Sequence, residues 1–322
     1  MRKIAVMTSG GDAPGMNAAI RAVVRVGMAQ GLEVIGVKHG YVGLVNGDSC
    51  ELNARAVGGI VQHGGTILGT ARSEEYRTPE GRRKAIENLR RWGIEGLVVI
   101  GGNGSLRGAV ELHRAGVRVV GVPASIDNDI PGTAMAIGVD TALNTAIEAI
   151  DRIKDTASAH QRAFIVEVMG RDCGYLALMA GFASGAEVVL IPEVRTTVDD
   201  VISGLRESYE KGKPHFIVVA AEGATLKAET LRDHIAGMRE KGFEARLTVL
   251  GHVQRGGSPS AFDRILATRL GASAVDYLLK GSAGQMVALV GAALVSVDME
   301  KAVTGECGLN MDLYRLAKLL AK

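Results

Sequence analysis

Cysteine is scarce: only Cys50, Cys173 and Cys307 occur in 322 residues, far apart and without CxxC spacing. That scarcity argues against a disulfide framework and a thiolate zinc site, and it suits a reducing compartment. Charge of one sign is lacking too. The 37 Lys and Arg against 35 Asp and Glu leave a net +2, which gives no reason to expect nucleic acid or a membrane as partner, so any basic site has to be a local cluster. No apolar run is long enough to span a bilayer. Met1-Arg2-Lys3-Ile4-Ala5-Val6-Met7 leads straight into a strand-like segment rather than a signal sequence. A cytoplasmic location is the expectation. Aromatics are only 4%, whereas hydrophobic residues reach 47% and glycines number 43. The chain therefore holds a full core, in one large or two modest domains. Much of its glycine falls at strand ends, where backbone turns tightly or approaches a ligand.

Short apolar runs alternate with amphipathic stretches along the chain. The strand candidates are Ile4–Met7, Val34–Val37, Gly96–Ile100, Val117–Val122, Phe164–Val168, Val188–Ile191, Phe216–Ala220, Leu247–Leu250 and Val287–Val290. Helical patterns lie between them, such as Asn17–Gln30, Gly81–Trp92, Thr141–Lys154, Val198–Glu210 and Ala261–Leu279. This alternation predicts an α/β protein with βαβ units and mainly parallel sheets covered on both faces. Periodicity leaves open whether the strands form one large sheet or two smaller ones.

Ligands of such sheets bind beyond the carboxyl ends of the strands. The segments found there are Thr8-Ser9-Gly10-Gly11-Asp12, Gly101-Gly102-Asn103-Gly104-Ser105, Met169-Gly170-Arg171, Ala221-Glu222-Gly223 and Gly251-His252-Val253-Gln254-Arg255. The most informative is Pro123-Ala124-Ser125-Ile126-Asp127-Asn128-Asp129, two carboxylates one residue apart beside a hydroxyl. One acid can accept a proton from an attacking hydroxyl while the other positions charge, an arrangement suited to phosphoryl transfer. The glycine loops at 10–17 and 101–105 can present backbone N–H groups to phosphate, although tight strand–helix turns look the same. Neither is a Walker A loop or a GxGxxG fingerprint.

The collinear set GGDAPGMNAAIR, GGTILGTAR, GGNGS, PASIDNDI, VEVMGRDCG and LGHVQRGGSP resembles the prokaryotic-type ATP-dependent 6-phosphofructokinase family over almost the full chain. The resemblance implies two Rossmann-like three-layer α/β domains with the active site between them. It divides the chain into a nucleotide-binding domain at 1–138 and 254–304 and a sugar-phosphate-binding domain at 139–253 and 305–322. The implied reaction moves the γ-phosphoryl of ATP to the 1-hydroxyl of fructose 6-phosphate, with Mg²⁺, in a glycolytic homotetramer. Asp127 resembles the base for the sugar hydroxyl, and Ser125 stands where threonine is usual. Asp129 falls beside the metal, Arg171 and Arg72 beside the moving phosphoryl, and Gly11 offers its N–H to it. The sugar-phosphate pocket is implied at Met169, Gly170, Glu222, His252 and Arg255, with Arg162 and Arg246 contributed by a neighbouring subunit. The nucleotide side is implied at Gly11, Tyr41, Arg72, Tyr76, Arg77, Gly102, Asn103, Gly104, Ser105 and Gly108. ADP and phosphoenolpyruvate are implied as effectors at Arg21, Arg25, Lys154, Gly185, Glu187, Lys211, Lys213 and His215.

The departures matter as much. Pyrophosphate-dependent members resemble a pattern with aspartate at position 104 and lysine at 124; the small Gly104 and Ala124 here leave room for ATP. The usual GGDGS motif has become GGNGS, so Asn103 keeps a carbonyl oxygen for magnesium but loses the charge that magnesium prefers. Weakened handling of MgATP is the expectation. Ala54 and Gly59 stand where effector-site charges are typical, and Lys154 replaces an arginine and its bidentate fork. Two other readings therefore stay open: a weakly active or inactive paralogue serving as a sugar-phosphate- and effector-binding regulatory subunit, and a pyrophosphate-dependent enzyme.

Overall fold

The N-terminal apolar run forms β1 (Lys3–Ser9), which is buried from Ile4 onward because both faces of its sheet are covered. The computed structural model of the chain describes residues 1–160, 163–213, 215–237, 244–305 and 307–321, with only the backbone of 158–160. The chain separates into two compact units, Met1–Thr141 with Arg255–Cys307, and Ala142–Gln254 with Gly308–Lys322.

After β1, the first unit continues with α1 (Met16–Ala29), β2 (Glu33–Val37), α2 (Tyr41–Asn46) and β3 (Ser49–Leu52). Next come α3 (Pro79–Arg91), β4 (Gly96–Gly101), α4 (Asn103–Arg114) and β5 (Val119–Pro123). Helix α5 (Val139–His160) then carries the chain across the unit boundary. The second unit holds β6 (Ala163–Val168), α6 (Tyr175–Ser184), β7 (Val188–Leu190), α7 (Val198–Glu210), β8 (Phe216–Ala221), α8 (Ala228–Ala236) and β9 (Ala245–Val249). The first unit resumes with α9 (Ala261–Leu279), β10 (Gln285–Val290), β11 (Ala293–Asp298) and α10 (Met299–Thr304). Helix α11 (Met311–Leu320) belongs to the second.

The first unit is built on a seven-stranded sheet of order β11-β10-β5-β4-β1-β2-β3. Its five central strands are parallel, in registers such as Ala5↔Ile35, Ala5↔Leu97 and Leu97↔Val119, while β3 and β11 pair antiparallel at the edges. Both edge strands are absent from the strand candidates read off the sequence, for different reasons. Strand β3 spans only four residues. The half-exposed β11 lacks the continuous apolar run that marks a central strand. The second unit has a four-stranded, all-parallel sheet of order β7-β8-β6-β9. Ile165, Val218 and Ala220 from this sheet pack with Val201 and Leu205 of α7 and Leu231 and Ile235 of α8 in its core.

One buried carboxylate fixes where α5 begins. Asp263, fully buried in the first turn of α9, accepts hydrogen bonds from Gly138 N (2.9 Å), Thr141 N (2.8 Å) and Thr141 Oγ1 (2.6 Å). Burial raises its pKa above the usual carboxylate value, against the lowering effect of those hydrogen bonds. The neighbouring Ser260 hydroxyl lies 2.5 Å from Asp140 Oδ2 and caps α9 through Asp263 N.

Candidate active site

Strands β2 and β4 lie on opposite sides of β1, so the winding of the first unit reverses between β1 and β4. Such a switch point opens a crevice beyond the carboxyl ends of the strands. The glycine loop 10–15 follows β1, and Gly102 with the first turn of α4 follows β4. The two approach closely. A Cβ on Gly101 would stand 2.5 Å from the Ser9 carbonyl oxygen and 2.7 Å from Ser105 Cβ, so this crossing requires glycine. Gly102 precedes α4 as its N-cap with no side chain closing the first turn, which leaves the helix N-terminus to an anion or water.

The acid loop beyond β5 joins the same region. Ser125 N donates to Ile137 O at 3.1 Å, and Ala124 forms an isolated parallel bridge with Ile137. Between the two acids, Asn128 adopts φ 51, a conformation that asparagine tolerates better than most residues. Its side chain accepts from Ala136 N (3.0 Å) and donates to Ala134 O (3.2 Å). This pins the loop to segment 134–137. Asp127 is only 2% exposed, and its N–H donates to Ser125 Oγ at 3.2 Å. The Ser125 hydroxyl donates in turn to Asp129 Oδ1 at 3.4 Å.

Asn103 crosses from α4 to the acid loop, its Nδ2 donating to the Asp129 carbonyl at 2.9 Å. The Asn103 Oδ1 is buried and has no hydrogen-bond partner among the described residues. Arg255 reaches the same loop from where the chain re-enters the first unit. Its Nη2 lies 3.8 Å from Asp127 Oδ1, and its Nη1 donates to the Asp12 carbonyl at 3.1 Å.

Tyr41 and Tyr76 form a stacked pair, ring centroids 4.1 Å apart, against α4. Their hydroxyls donate to the Ser105 and Gly108 carbonyls at 2.6 and 2.7 Å. Burial raises both phenol pKa values, so both remain neutral donors. A Cβ on Gly108 would lie 2.6 Å from the Tyr41 ring. The tyrosines thus support α4 and its glycine. Arg72 and Arg77 are exposed, Arg77 pairing with Glu74 at 3.1 Å.

The second unit gathers its own group at the ends of β6 and β8. Gly170 N and Arg171 N both donate to Glu222 Oε1, at 3.2 and 2.8 Å, and Met169 N donates to Gln254 Oε1 at 2.9 Å. This holds Arg171 at φ 51, an uncommon conformation for arginine, with its side chain exposed. His252 is exposed on the turn Gly251–Gln254. Arg246 is exposed on β9 and pairs with Glu244 at 2.5 Å. Arg162 lies outside the described residues.

Of the residues expected at an effector site, the second unit brings together two pairs, Lys154 with Gly185 and Glu187 with Lys213. Lys154 Nζ donates to Ser184 O beside Gly185, at the carboxyl end of α6. Glu187 accepts from Ile217 N at 2.8 Å and pairs with Lys213 at 3.6 Å. Lys213 also donates to Ala321 O at 2.7 Å, and Lys211 pairs with Glu207 at 2.6 Å. His215 is half-buried. In the first unit, Arg21 is half-buried and Arg25 donates to Ala54 O at 3.1 Å.

Two residues of these sites lie in the strand-end segments but have no role in the sequence reading. Asn128 was readable in principle, as the asparagine between two acids in a turn. Gln254 left no such signal: its tie to the Met169 loop is a hydrogen bond to a fully buried side chain.

A doubly wound α/β unit with glycine loops and a buried acid at its switch point defines a nucleotide- or phosphate-handling protein class. Comparison with known proteins narrows this. A profile of the Phosphofructokinase family matches residues 3–278. The ATP-dependent 6-phosphofructokinase of Thermotoga neapolitana is 54% identical over 322 residues, and that of Halalkalibacterium halodurans 52% over 321, each covering 100% of both chains. The structure of phosphofructokinase from Saccharomyces cerevisiae superposes with a TM-score of 0.87 at 40% identity, covering 94% of this chain and 45% of the yeast chain. The chain belongs to the phosphofructokinase family.

Proposed function

We propose that this chain transfers the γ-phosphoryl group of ATP to the 1-hydroxyl of fructose 6-phosphate, giving fructose 1,6-bisphosphate and ADP. The observation that carries this reading is Asp127, buried beside the glycine loops at the switch point of the first unit. The first unit takes the nucleotide and the second the sugar phosphate, in an enzyme of cytoplasmic glycolysis. No helix among the described residues is long and apolar enough to cross a membrane.

In the reaction, Asp127 accepts the proton of the sugar 1-hydroxyl as that oxygen attacks the γ-phosphorus and the bond to the β-phosphate oxygen of ADP breaks. Gly11 N–H and the guanidinium groups of Arg171 and Arg72 take up charge on the moving phosphoryl. Met169, Gly170, Glu222 and His252 bind the sugar phosphate, with Arg246 and Arg162 supplied by a neighbouring copy in a homotetramer. The orphaned, buried Asn103 Oδ1 and the half-buried Asp129 carboxylate suit Mg²⁺. One carboxylate and one neutral oxygen fit an ion held mainly by nucleotide phosphates and water. When bound, the ion neutralises phosphate charge.

The donor is ATP. Gly104 is exposed, with no atom within 4 Å of where its Cβ would be, and Ala124 adds only a buried methyl. The cations Lys154 and Lys213, with Gly185 and Glu187, support a site for phosphorylated effectors, which Arg21, Arg25, Lys211 and His215 complete in the tetramer. Fructose 1,6-bisphosphate formation, measured with excess Mg²⁺ and either ATP or pyrophosphate, tests the reading. Turnover with ATP is expected. Turnover with pyrophosphate alone would reverse the donor assignment, and silence with both, despite binding of fructose 6-phosphate, would make the chain a binding subunit.

A further inference from the structure

We propose that Thr70 is a positioning residue for phosphoryl transfer: its hydroxyl fixes the direction of the Gly11 N–H that meets the moving phosphoryl group. This assignment deepens the kinase reading above and rests on it. The resemblance gives Gly11 and Arg72 parts in the reaction and Thr70 none. Thr70 Oγ1 donates to the Gly10 carbonyl oxygen at 2.6 Å, from 60 positions further along the chain. That oxygen and the Gly11 nitrogen belong to one peptide unit. The unit is planar and trans, so its C=O and N–H point in opposite directions, and fixing one fixes the other. Little else in the local chain would hold it. Glycine stands on both sides, Gly10 at φ 88, so no Cβ resists rotation of the unit. The hydrogen bond also polarises the amide, which makes its N–H a stronger donor. A backbone N–H serves developing charge best when it is already aimed.

Thr70 is itself held by a strap. Thr8, fully buried in β1, donates from Oγ1 to Gly69 O at 3.0 Å and lies 2.8 Å from Thr66 Oγ1. A hydroxyl has one proton, so Thr66 is the donor to Thr8, and it accepts in turn from Leu68 N at 3.3 Å. Asn17, buried in the first turn of α1, donates from Nδ2 to the His63 and Gly64 carbonyls, each at 3.1 Å, and accepts from Ile67 N at 2.8 Å. The end of β1 and this segment are therefore tied reciprocally. Thr8 holds the residue before Thr70, and Thr70 holds the residue that follows β1. Arg72 comes two residues later and is exposed. One strapped segment thus carries the cation and aims the N–H that share the charge of the moving phosphoryl.

The test is steady-state kinetics of Thr70→Val, Thr70→Ala and Thr70→Ser beside the unsubstituted chain, with excess Mg²⁺ and varied ATP and fructose 6-phosphate. Valine keeps the branched shape and removes the hydroxyl. A positioning role predicts a kcat about 30-fold lower in T70V, with both KM values changed by less than about threefold, because the N–H matters most in the transition state. T70S keeps the hydroxyl and should stay within about threefold of the unsubstituted kcat. A T70V kcat within about threefold of the unsubstituted value would overturn the proposal. A T70S loss as large as that of T70V would overturn it too, by making shape rather than the hydroxyl decisive. So would a KM that rises at least as much as kcat falls. Thermal melting is read first, and if T70V does not fold, T70A is judged by the same criteria. An unsubstituted chain that makes no fructose 1,6-bisphosphate sinks the kinase reading and this proposal together. An active chain whose variants fail these criteria sinks only the proposal.

Discussion

The two candidate sites, one in each unit, are built in opposite ways. In the first unit the functional groups are cross-linked: Asn128 pins the acid loop, Asn103 ties it to α4, and Arg255 ties it to the loop after β1. In the second unit the backbone of Met169, Gly170 and Arg171 is held by Gln254 and Glu222, while the side chains of Arg171, His252 and Arg246 are exposed. On the function proposed above, the difference is a division of labour. A proton acceptor has to be preorganised and dry, because misplacement of the reacting atoms costs rate directly. Groups that collect an anion work from exposed positions on a fixed backbone.

Breaking the first site should cost turnover. Asp127→Asn removes the proposed base while keeping its size, and kcat for fructose 1,6-bisphosphate formation is expected to fall about 1000-fold. Breaking the second site should cost binding. Glu222→Ala leaves the Gly170 and Arg171 N–H groups without their carboxylate acceptor and releases Arg171 from its left-handed conformation. KM for fructose 6-phosphate should rise about 30-fold in the same kinetics.

Asn103→Asp sharpens the comparison, because two effects oppose each other. A carboxylate adds charge for Mg²⁺, so KM for MgATP should fall about threefold. It also replaces the Nδ2–H that bonds the Asp129 carbonyl with an oxygen facing an oxygen. The midpoint of thermal unfolding should therefore drop by about 2–4 °C. Unchanged values of both would show that Asn103 neither straps the loop nor meets the metal.

The smallest effect concerns a carboxylate outside both candidate sites. The folded-state pKa of Asp263 is raised by burial, so the folded chain holds this proton more tightly than the unfolded chain. Its contribution is fully present below the ordinary carboxylate pKa and is lost as pH rises through the raised value. Chemical denaturation across that window should show this loss in the unsubstituted chain. Asp263→Asn should lack that pH dependence and be less stable throughout by about 2–3 kcal/mol, since an amide cannot accept from Gly138 N, Thr141 N and Thr141 Oγ1 together.

The sequence made the central strands legible, because strands buried on both faces read as unbroken apolar runs flanked by glycine and polar residues. It could not reveal β3 or β11, whose edge positions relax that pattern. It pointed to Asp127 through local chemistry, since two acids beside a hydroxyl at a strand end are readable without tertiary structure. It did not show which distant neighbours the supporting side chains act through. Arg255 reaches Asp12, 243 positions earlier, and Gln254 reaches Met169, 85 positions earlier. The resemblance places Tyr41 and Tyr76 on the nucleotide side, and only the structure shows that their hydroxyls donate to α4 carbonyls and that Tyr41 is just 6% exposed. Such roles depend on which loops the sheet order brings together, information that no single motif carries.

The most direct test of the division is the affinity of Asp127→Asn for fructose 6-phosphate, measured calorimetrically without nucleotide beside the unsubstituted chain. The account predicts a Kd within about threefold of the original even though turnover is lost. A Kd weakened in proportion to the lost turnover would contradict it, because Asp127 would then be binding the sugar phosphate rather than accepting its proton.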